Sequence, residues 1–117
     1  MVIAGSDFMS IHHHEAAQWL QVRGDLYSRA GQPQRGLAML LLAVRLAPTQ
    51  PSILRTLIGG FLAAGDGRRA LLAIDQLALL EGEKADHQLL RSRALWILNR
   101  RDDARECFHR YLAWRTE

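Results

Sequence analysis

Cysteine, lysine and long apolar runs are all scarce in this sequence, and each scarcity excludes a class of protein. Cys107 is the only cysteine, so the chain can form no internal disulfide and no four-cysteine zinc site. The longest apolar run, Leu37 to Val44, ends at Arg45 and is far shorter than the ~20 residues that a membrane-spanning helix needs. The first residues also lack the basic segment and the apolar segment of a secretory signal. We therefore expect a cytoplasmic protein that does not insert into membranes.

The positive charges are almost all arginines, because Lys84 is the only lysine. The formal net charge is +3 and the pI is about 9.7, so the surface could attract nucleic acid, lipid or an acidic protein. The arginines are spread along the whole chain, which favours an ordinary solvated surface over a nucleic-acid-binding one. A basic nucleic-acid-binding regulator stays an alternative, and a steep salt dependence of binding to DNA or RNA would favour it.

No pattern of residues indicates an enzyme, a metal site or a cofactor. The sequence has no glycine-rich phosphate loop, no carboxylate pair at a useful spacing and no nucleophile beside a histidine and a base. The adjacent histidines His12–His14 point about 100° apart on a helix, so they cannot share one metal ion. Glu15 is followed by Ala16–Gln18, which breaks the His-Glu-x-x-His pattern of a zinc helix. We expect no catalytic residue, no metal ligand and no cofactor.

Small and turn-forming residues recur at a step of 34 residues. The positions that follow this step include Gly31, Gly65 and Asn99, and also Gly36, Ala70 and Ala104. A self-similarity of this length without insertions is the signature of the tetratricopeptide repeat, a helix–turn–helix unit. The sequence therefore predicts an all-α fold of three such repeats, at about residues 17–50, 51–84 and 85–117, which form a short right-handed solenoid.

The helix boundaries are predicted from capping residues and prolines. Six helices are expected at about residues 15–30, 33–46, 51–64, 67–80, 85–98 and 102–115. Pro33 suits a first helical turn, Asp66 is a good N-cap, and Gly31 and Asn99 tolerate the left-handed backbone that ends a helix. Gly24 is expected where a neighbouring helix passes close. Residues 1–14 are predicted to be a flexible leader, and residues 15–117 a single domain.

The first helix of each repeat is expected to line a concave partner-binding face. Its predicted partner-binding residues are Arg55, Gly59, Leu62, Leu89, Arg93 and Trp96. Leu62, Leu89 and Trp96 would hold apolar side chains of a partner, and Gly59 would leave space for its close approach. The sequence leaves open a second possibility, in which Trp96 and Leu62 pack on each other as core.

Some tetratricopeptide proteins bind the C-terminal carboxylate of chaperones with lysine, asparagine and arginine at fixed groove positions. The matching positions here are Gln21, Asp25, Thr56, Asp86 and Leu90. Asp25 has the wrong charge for a carboxylate, so the sequence argues against that function.

The chain resembles the small tetratricopeptide chaperones of bacterial type III secretion, and the YscY type most of all. The resemblance covers about residues 16–113. Its residues are Trp19–Gly24, Gly31–Leu46 with Pro48, Leu98–Asn99, Asp103–Arg105 and Tyr111–Leu112.

This resemblance implies a cytoplasmic bacterial chaperone that forms a heterodimer with a small secreted export component of YscX type. Such a chaperone would cover an amphipathic helix of its client in an apolar groove, and it could also meet the cytosolic part of the export gate. The nearest variant is a needle-subunit or translocator chaperone of the same system. A repeat scaffold outside secretion is a further alternative.

Overall fold

The computed structural model describes the backbone of residues 5–116 and the side chains of residues 12–116. The described chain forms six α-helices and no strand, which confirms the all-α prediction. The helices are α1 Gly5–Arg29, α2 Pro33–Leu46, α3 Pro51–Ala63, α4 Gly67–Glu81, α5 Ala85–Ile97 and α6 Arg101–Arg115. None of these helices is long and apolar enough to cross a membrane.

Local residue chemistry accounts for most of the helix ends. Pro33 occupies the first turn of α2, where its missing N–H needs no partner. Asp66 precedes α4, and its side chain accepts a hydrogen bond from the Arg69 backbone N–H at 3.0 Å. Gly31 and Asn99 have φ angles of 80° and 62°, in the left-handed region that ends helices. These predicted turns and caps are confirmed.

The first helix begins earlier than the sequence predicted. α1 starts at Gly5 rather than near Glu15, so the prediction of a flexible leader over residues 1–14 is corrected to helix for residues 5–14. No proline lies between Gly5 and Arg29, so no residue in this stretch forces the helix to break. Residues 1–4 of the predicted leader lie outside the described residues.

The chain divides into two compact units, residues 1–60 and 61–117. That residues 15–117 form a single domain stays a prediction. In the first unit, α1 packs on α2 at a close approach of two glycines. A Cβ atom on Gly24 would lie 2.6 Å from Leu40 Cγ and 3.0 Å from the Gly36 oxygen, which confirms the predicted role of Gly24. Ala17, Ala43 and Ile53 form a buried cluster there.

In the second unit, α5 packs on α6 and α4 packs on α5. A Cβ atom on Gly67 would lie 2.5 Å from the Ala94 carbonyl oxygen, so glycine is needed where α4 begins against α5. Leu95, Ala104 and Cys107 form the buried cluster between α5 and α6. Cys107 is a small buried residue of this cluster.

Candidate functional site

The second unit contains an apolar groove of about 540 Å³, here called the Trp96 groove. Its volume falls within the range of about 300–1,000 Å³ that is usual for binding pockets. The apolar residues that line it are Leu62, Leu89, Trp96, Ile97, Ala104 and Phe108. The groove is large enough to hold several side chains of a partner.

Helical spacing brings these side chains onto one surface. In α5, Leu89 lies about two turns before the adjacent residues Trp96 and Ile97, so the three side chains fall on one side of the helix. Ala104 and Phe108 are likewise one turn apart on α6 and complete the groove. Ser92 lies among them, but its Oγ atom donates to the Leu89 carbonyl oxygen at 2.7 Å. The groove surface therefore gains no unsatisfied hydroxyl from Ser92.

Trp96 is an exposed residue of the groove rather than part of the core. Its side chain is 52% exposed, and the guanidinium of Arg101 lies 4.8 Å from the ring centroid. Leu62, by contrast, is only 7% exposed. The structure therefore disagrees with the possibility that Trp96 is core, whereas it does bury Leu62.

Four of the six predicted partner-binding residues line this groove: Leu62, Leu89, Arg93 and Trp96. Arg55 and Gly59 belong to the first unit and are not lining residues. A Cβ atom on Gly59 would have no heavy atom within 4 Å, so the fold itself does not require glycine at this position. Partner binding by all six residues stays a prediction.

Phe108 of α6 also lines the groove, although it was not among the predicted partner-binding residues. Phe108 follows Leu40 and Ile74 at the 34-residue step, and this step by itself does not distinguish a core position from an exposed one. Leu40 and Ile74 are fully buried, whereas Phe108 is 41% exposed. Within the described chain no helix follows α6, so the periodic signal marks an apolar position without showing what covers it.

The rim of the groove is basic. Arg93, Arg105 and His109 line it, and no aspartate or glutamate is among the described lining residues. An apolar surface with cations at its edge is the usual arrangement of a protein interface, which has an apolar centre and a polar rim.

A second polar cluster joins the end of α4 to the start of α5. The fully buried His87 accepts the Lys84 backbone N–H on Nδ1 at 3.2 Å. Nε2 therefore carries the proton and donates to Glu81 at 2.7 Å. These bonds fix the start of α5, and with it the direction in which Leu89 and Trp96 point.

Arg91 strengthens the same junction. It donates to both carboxylate oxygens of Glu83, at 3.0 and 2.9 Å, and to Asp75 at 3.3 Å. The hydrogen bond from Arg91 lowers the pKa of Glu83 below its usual range, and the same bond raises the pKa of Arg91. Both groups therefore stay charged at neutral pH, and the cluster is a structural one.

The described residues contain no group of three histidine, cysteine, aspartate or glutamate side chains that could hold a metal ion. His12 and His13 are exposed, and His14 lies 3.2 Å from the side-chain nitrogen of Gln18. Burial raises the pKa of the Cys107 thiol, which disfavours the reactive thiolate.

Comparisons with solved structures show the tetratricopeptide fold. The Arabidopsis OM64 tetratricopeptide domain is 17% identical, with a TM-score of 0.76 over 90% of this chain and 87% of that one. The first tetratricopeptide domain of human RPAP3 is 15% identical, with a TM-score of 0.73 over 87% and 80%.

A third similar structure is the second tetratricopeptide domain of Spaghetti (RPAP3), bound to the HSP90 peptide SRMEEVD. It is 16% identical to this chain, with a TM-score of 0.73 over 88% of this chain and 95% of that one. No family model and no curated protein sequence matches the chain.

Proposed function

We propose that this protein is a binding module that holds an amphipathic segment of a partner protein in the Trp96 groove. The observation that carries the proposal is the exposed Trp96 beside Phe108 in an apolar groove. A contiguous apolar surface on a small protein usually marks an interaction site. Tryptophan in the centre of an interface often supplies much of the binding energy.

The more specific proposal is a chaperone of bacterial type III secretion that acts in the cytoplasm. It would form a heterodimer with a small secreted component of YscX type and could bring it to the export gate. Support comes from the tetratricopeptide fold and from the residues that resemble the YscY type. The groove also has the size and apolar character needed to cover one face of a client helix.

The HSP90 peptide seen with a similar domain does not suit the first-helix positions of this chain. Asp25 forms an ion pair with Arg29 at 2.9 Å and would repel a peptide carboxylate. Gln21 donates to the hydroxyls of Ser52 and Thr56, both at 3.0 Å, so its amide is already engaged. The Trp96 groove is therefore the better candidate for binding a partner.

The test compares two tryptophans that differ in position but have similar surroundings. Trp19 is 56% exposed with the guanidinium of Arg23 at 4.9 Å, and so resembles Trp96 outside the groove. A pull-down from the native host with mass spectrometry identifies the client, and titration calorimetry measures its affinity. We expect Trp96→Ala to weaken client binding at least about tenfold, since ~1.4 kcal/mol is one decade.

Trp19→Ala is the matched control and should bind the client with the affinity of the wild-type protein. A thermal melt by circular dichroism establishes that both variants are folded. Unchanged affinity in folded Trp96→Ala protein would refute the groove as the binding site. Equal losses in both variants would place binding on a broader surface than the groove.

A further inference from the structure

Two carboxylates of α6 do not line the groove and are already paired. Asp103 accepts a hydrogen bond from Arg100 Nε at 3.0 Å. Glu106 accepts one from Arg110 at 2.6 Å. Neither acid lines the groove, so neither neutralises its rim.

The arginines on the rim keep their capacity to bind an incoming anion. Arg93 forms no ion pair with any residue that the structure describes. The Nη1 atom of Arg105 lies 3.9 Å from Oδ1 of the fully exposed Asp102, which is beyond hydrogen-bond distance. Arg101 adds another guanidinium where it lies over the Trp96 ring.

One acidic residue precedes the groove on α5, but it is already engaged. Asp86 lies one turn before Leu89 on the same helix face, is not a lining residue and takes part in an interaction of its own. The rim is therefore surrounded by positive charge without a matching set of acids.

The length of the groove fits a short helix. The α5 residues that line it run from Leu89 to Ile97, a distance of about 12 Å along the helix axis. Two turns of a partner helix span a similar distance and present apolar side chains at i, i+3 or i+4, and i+7. Such a helix lies readily in the depression between α5 and α6.

Resting on the proposed function, we propose that the partner segment is an acidic amphipathic helix. Its apolar stripe packs on Leu89, Trp96 and Phe108, and carboxylates beside that stripe bind Arg93 and Arg105. Arginine and carboxylate form strong, often bidentate hydrogen bonds. A neutral or basic helix would cover the same guanidiniums without supplying partners for them, which disfavours its binding.

The test uses three synthetic helical peptides that share one leucine stripe at i, i+3 and i+7. The residues beside the stripe are glutamate in the first peptide, glutamine in the second and lysine in the third. We expect the glutamate peptide to bind at least about tenfold more tightly than the glutamine peptide at low ionic strength. At about 1 M salt, where the screening length falls to about 3 Å, this preference should shrink.

Variants that remove a positive charge test whether Arg93 and Arg105 cause the preference for the glutamate peptide. Arg93→Gln with Arg105→Gln should remove most of the preference for glutamate and leave binding of the glutamine peptide nearly unchanged. Arg68→Gln is the matched control, because Arg68 is an exposed arginine of the same unit that does not line the groove. Trp96→Ala should weaken binding of all three peptides.

The outcomes separate the two proposals. Equal binding of the glutamate and glutamine peptides, with loss of both in Trp96→Ala, overturns the acidic preference and supports the groove. Failure of all three peptides to bind overturns both proposals. A single-stranded oligonucleotide that binds more tightly than the glutamate peptide, with the same dependence on Arg93 and Arg105, also overturns the inference. The inference is also overturned if sedimentation shows a dimer that Trp96→Ala converts to a monomer, because a second copy of the chain then fills the groove.

Discussion

At the scale of single residues, glycine acts in different ways at different positions of this chain. Gly67 lies so close to the Ala94 carbonyl that a Cβ atom would approach it to 2.5 Å. Gly59 lies on an exposed part of α3, where a Cβ atom would meet no heavy atom within 4 Å. The same residue type is therefore required for packing at one site and is only tolerated at the other.

This difference predicts opposite effects of alanine at the two positions. Gly59→Ala should raise the free energy of unfolding by up to ~1 kcal/mol, because alanine favours helix over glycine. Gly67→Ala should lower it by ~1–3 kcal/mol, because the backbone of α5 must move to make room. Denaturant melts of both variants measure these values. A stabilising Gly67→Ala would show that α4 does not approach α5 as closely as described.

The single cysteine offers a second test at the residue scale. Cys107 is 8% exposed, and burial raises the pKa of its thiol. Since only the thiolate reacts, a thiol reagent at pH 8 should modify the folded protein much more slowly than the denatured chain. Equal rates in native buffer and in denaturant would mean that α6 opens readily around Cys107.

At the scale of helices, the junction of α4 and α5 sets the position of the groove. His87 ties the start of α5 to Glu81 at the end of α4, and Arg91 holds Glu83 in the connection. These bonds do not touch a ligand. They fix the orientation of the α5 face that carries Leu89 and Trp96.

The Glu83–Arg91 pair predicts a dependence of stability on pH. The hydrogen bond from Arg91 lowers the pKa of folded Glu83 below its ordinary value of 4.5. The stabilisation is therefore present above the unfolded pKa and is lost as the pH falls through the folded pKa. Because Glu83 is half exposed, solvent screens the pair and the effect should be small.

Thermal melts between neutral pH and pH 3 test this assignment. Glu83→Gln should lower the melting temperature at neutral pH, and the difference from the wild-type protein should shrink as the pH falls below 4.5. Asp102→Asn replaces a fully exposed carboxylate and serves as the control. A Glu83→Gln difference that stays constant with pH would assign the loss to packing instead of charge.

At the scale of the whole molecule, binding and folding are linked. A client that binds only the folded protein stabilises it by RT ln(1 + [L]/Kd), or about 2.7 kcal/mol at 100 times Kd. For a protein of this size, such a gain raises the melting temperature by several degrees. At the same client concentration, the rise in melting temperature should be smaller for Trp96→Ala. It should be about half as large if the Kd of this variant for the client is tenfold weaker.

The Trp19→Ala variant should show the full rise with client, because Trp19 does not line the groove. The melting temperatures without client serve as the reference for each variant. A full rise with Trp96→Ala would mean that the client stabilises the protein through another surface.

The sequence by itself determined the helices, because their signals are local. Pro33 and Pro48 bracket α2, Asp66 caps α4, and Asn99 ends the turn before α6, each through the backbone geometry or hydrogen bond of that one residue. The 34-residue step carried this local information through all three repeats. The sequence did not predict the early start of α1, because a helix can continue wherever no residue stops it.

Only the tertiary structure decided which apolar side chains are covered. Leu40, Ile74 and Phe108 are equivalent in the repeat pattern, yet only Phe108 is exposed. Trp96 and Leu62 both carry an apolar signal, but one is half exposed and the other buried. Periodicity reports which face of a helix is apolar, whereas burial depends on which other helices pack there. The groove, its basic rim and the place of Arg105 within it are for that reason properties of the folded chain.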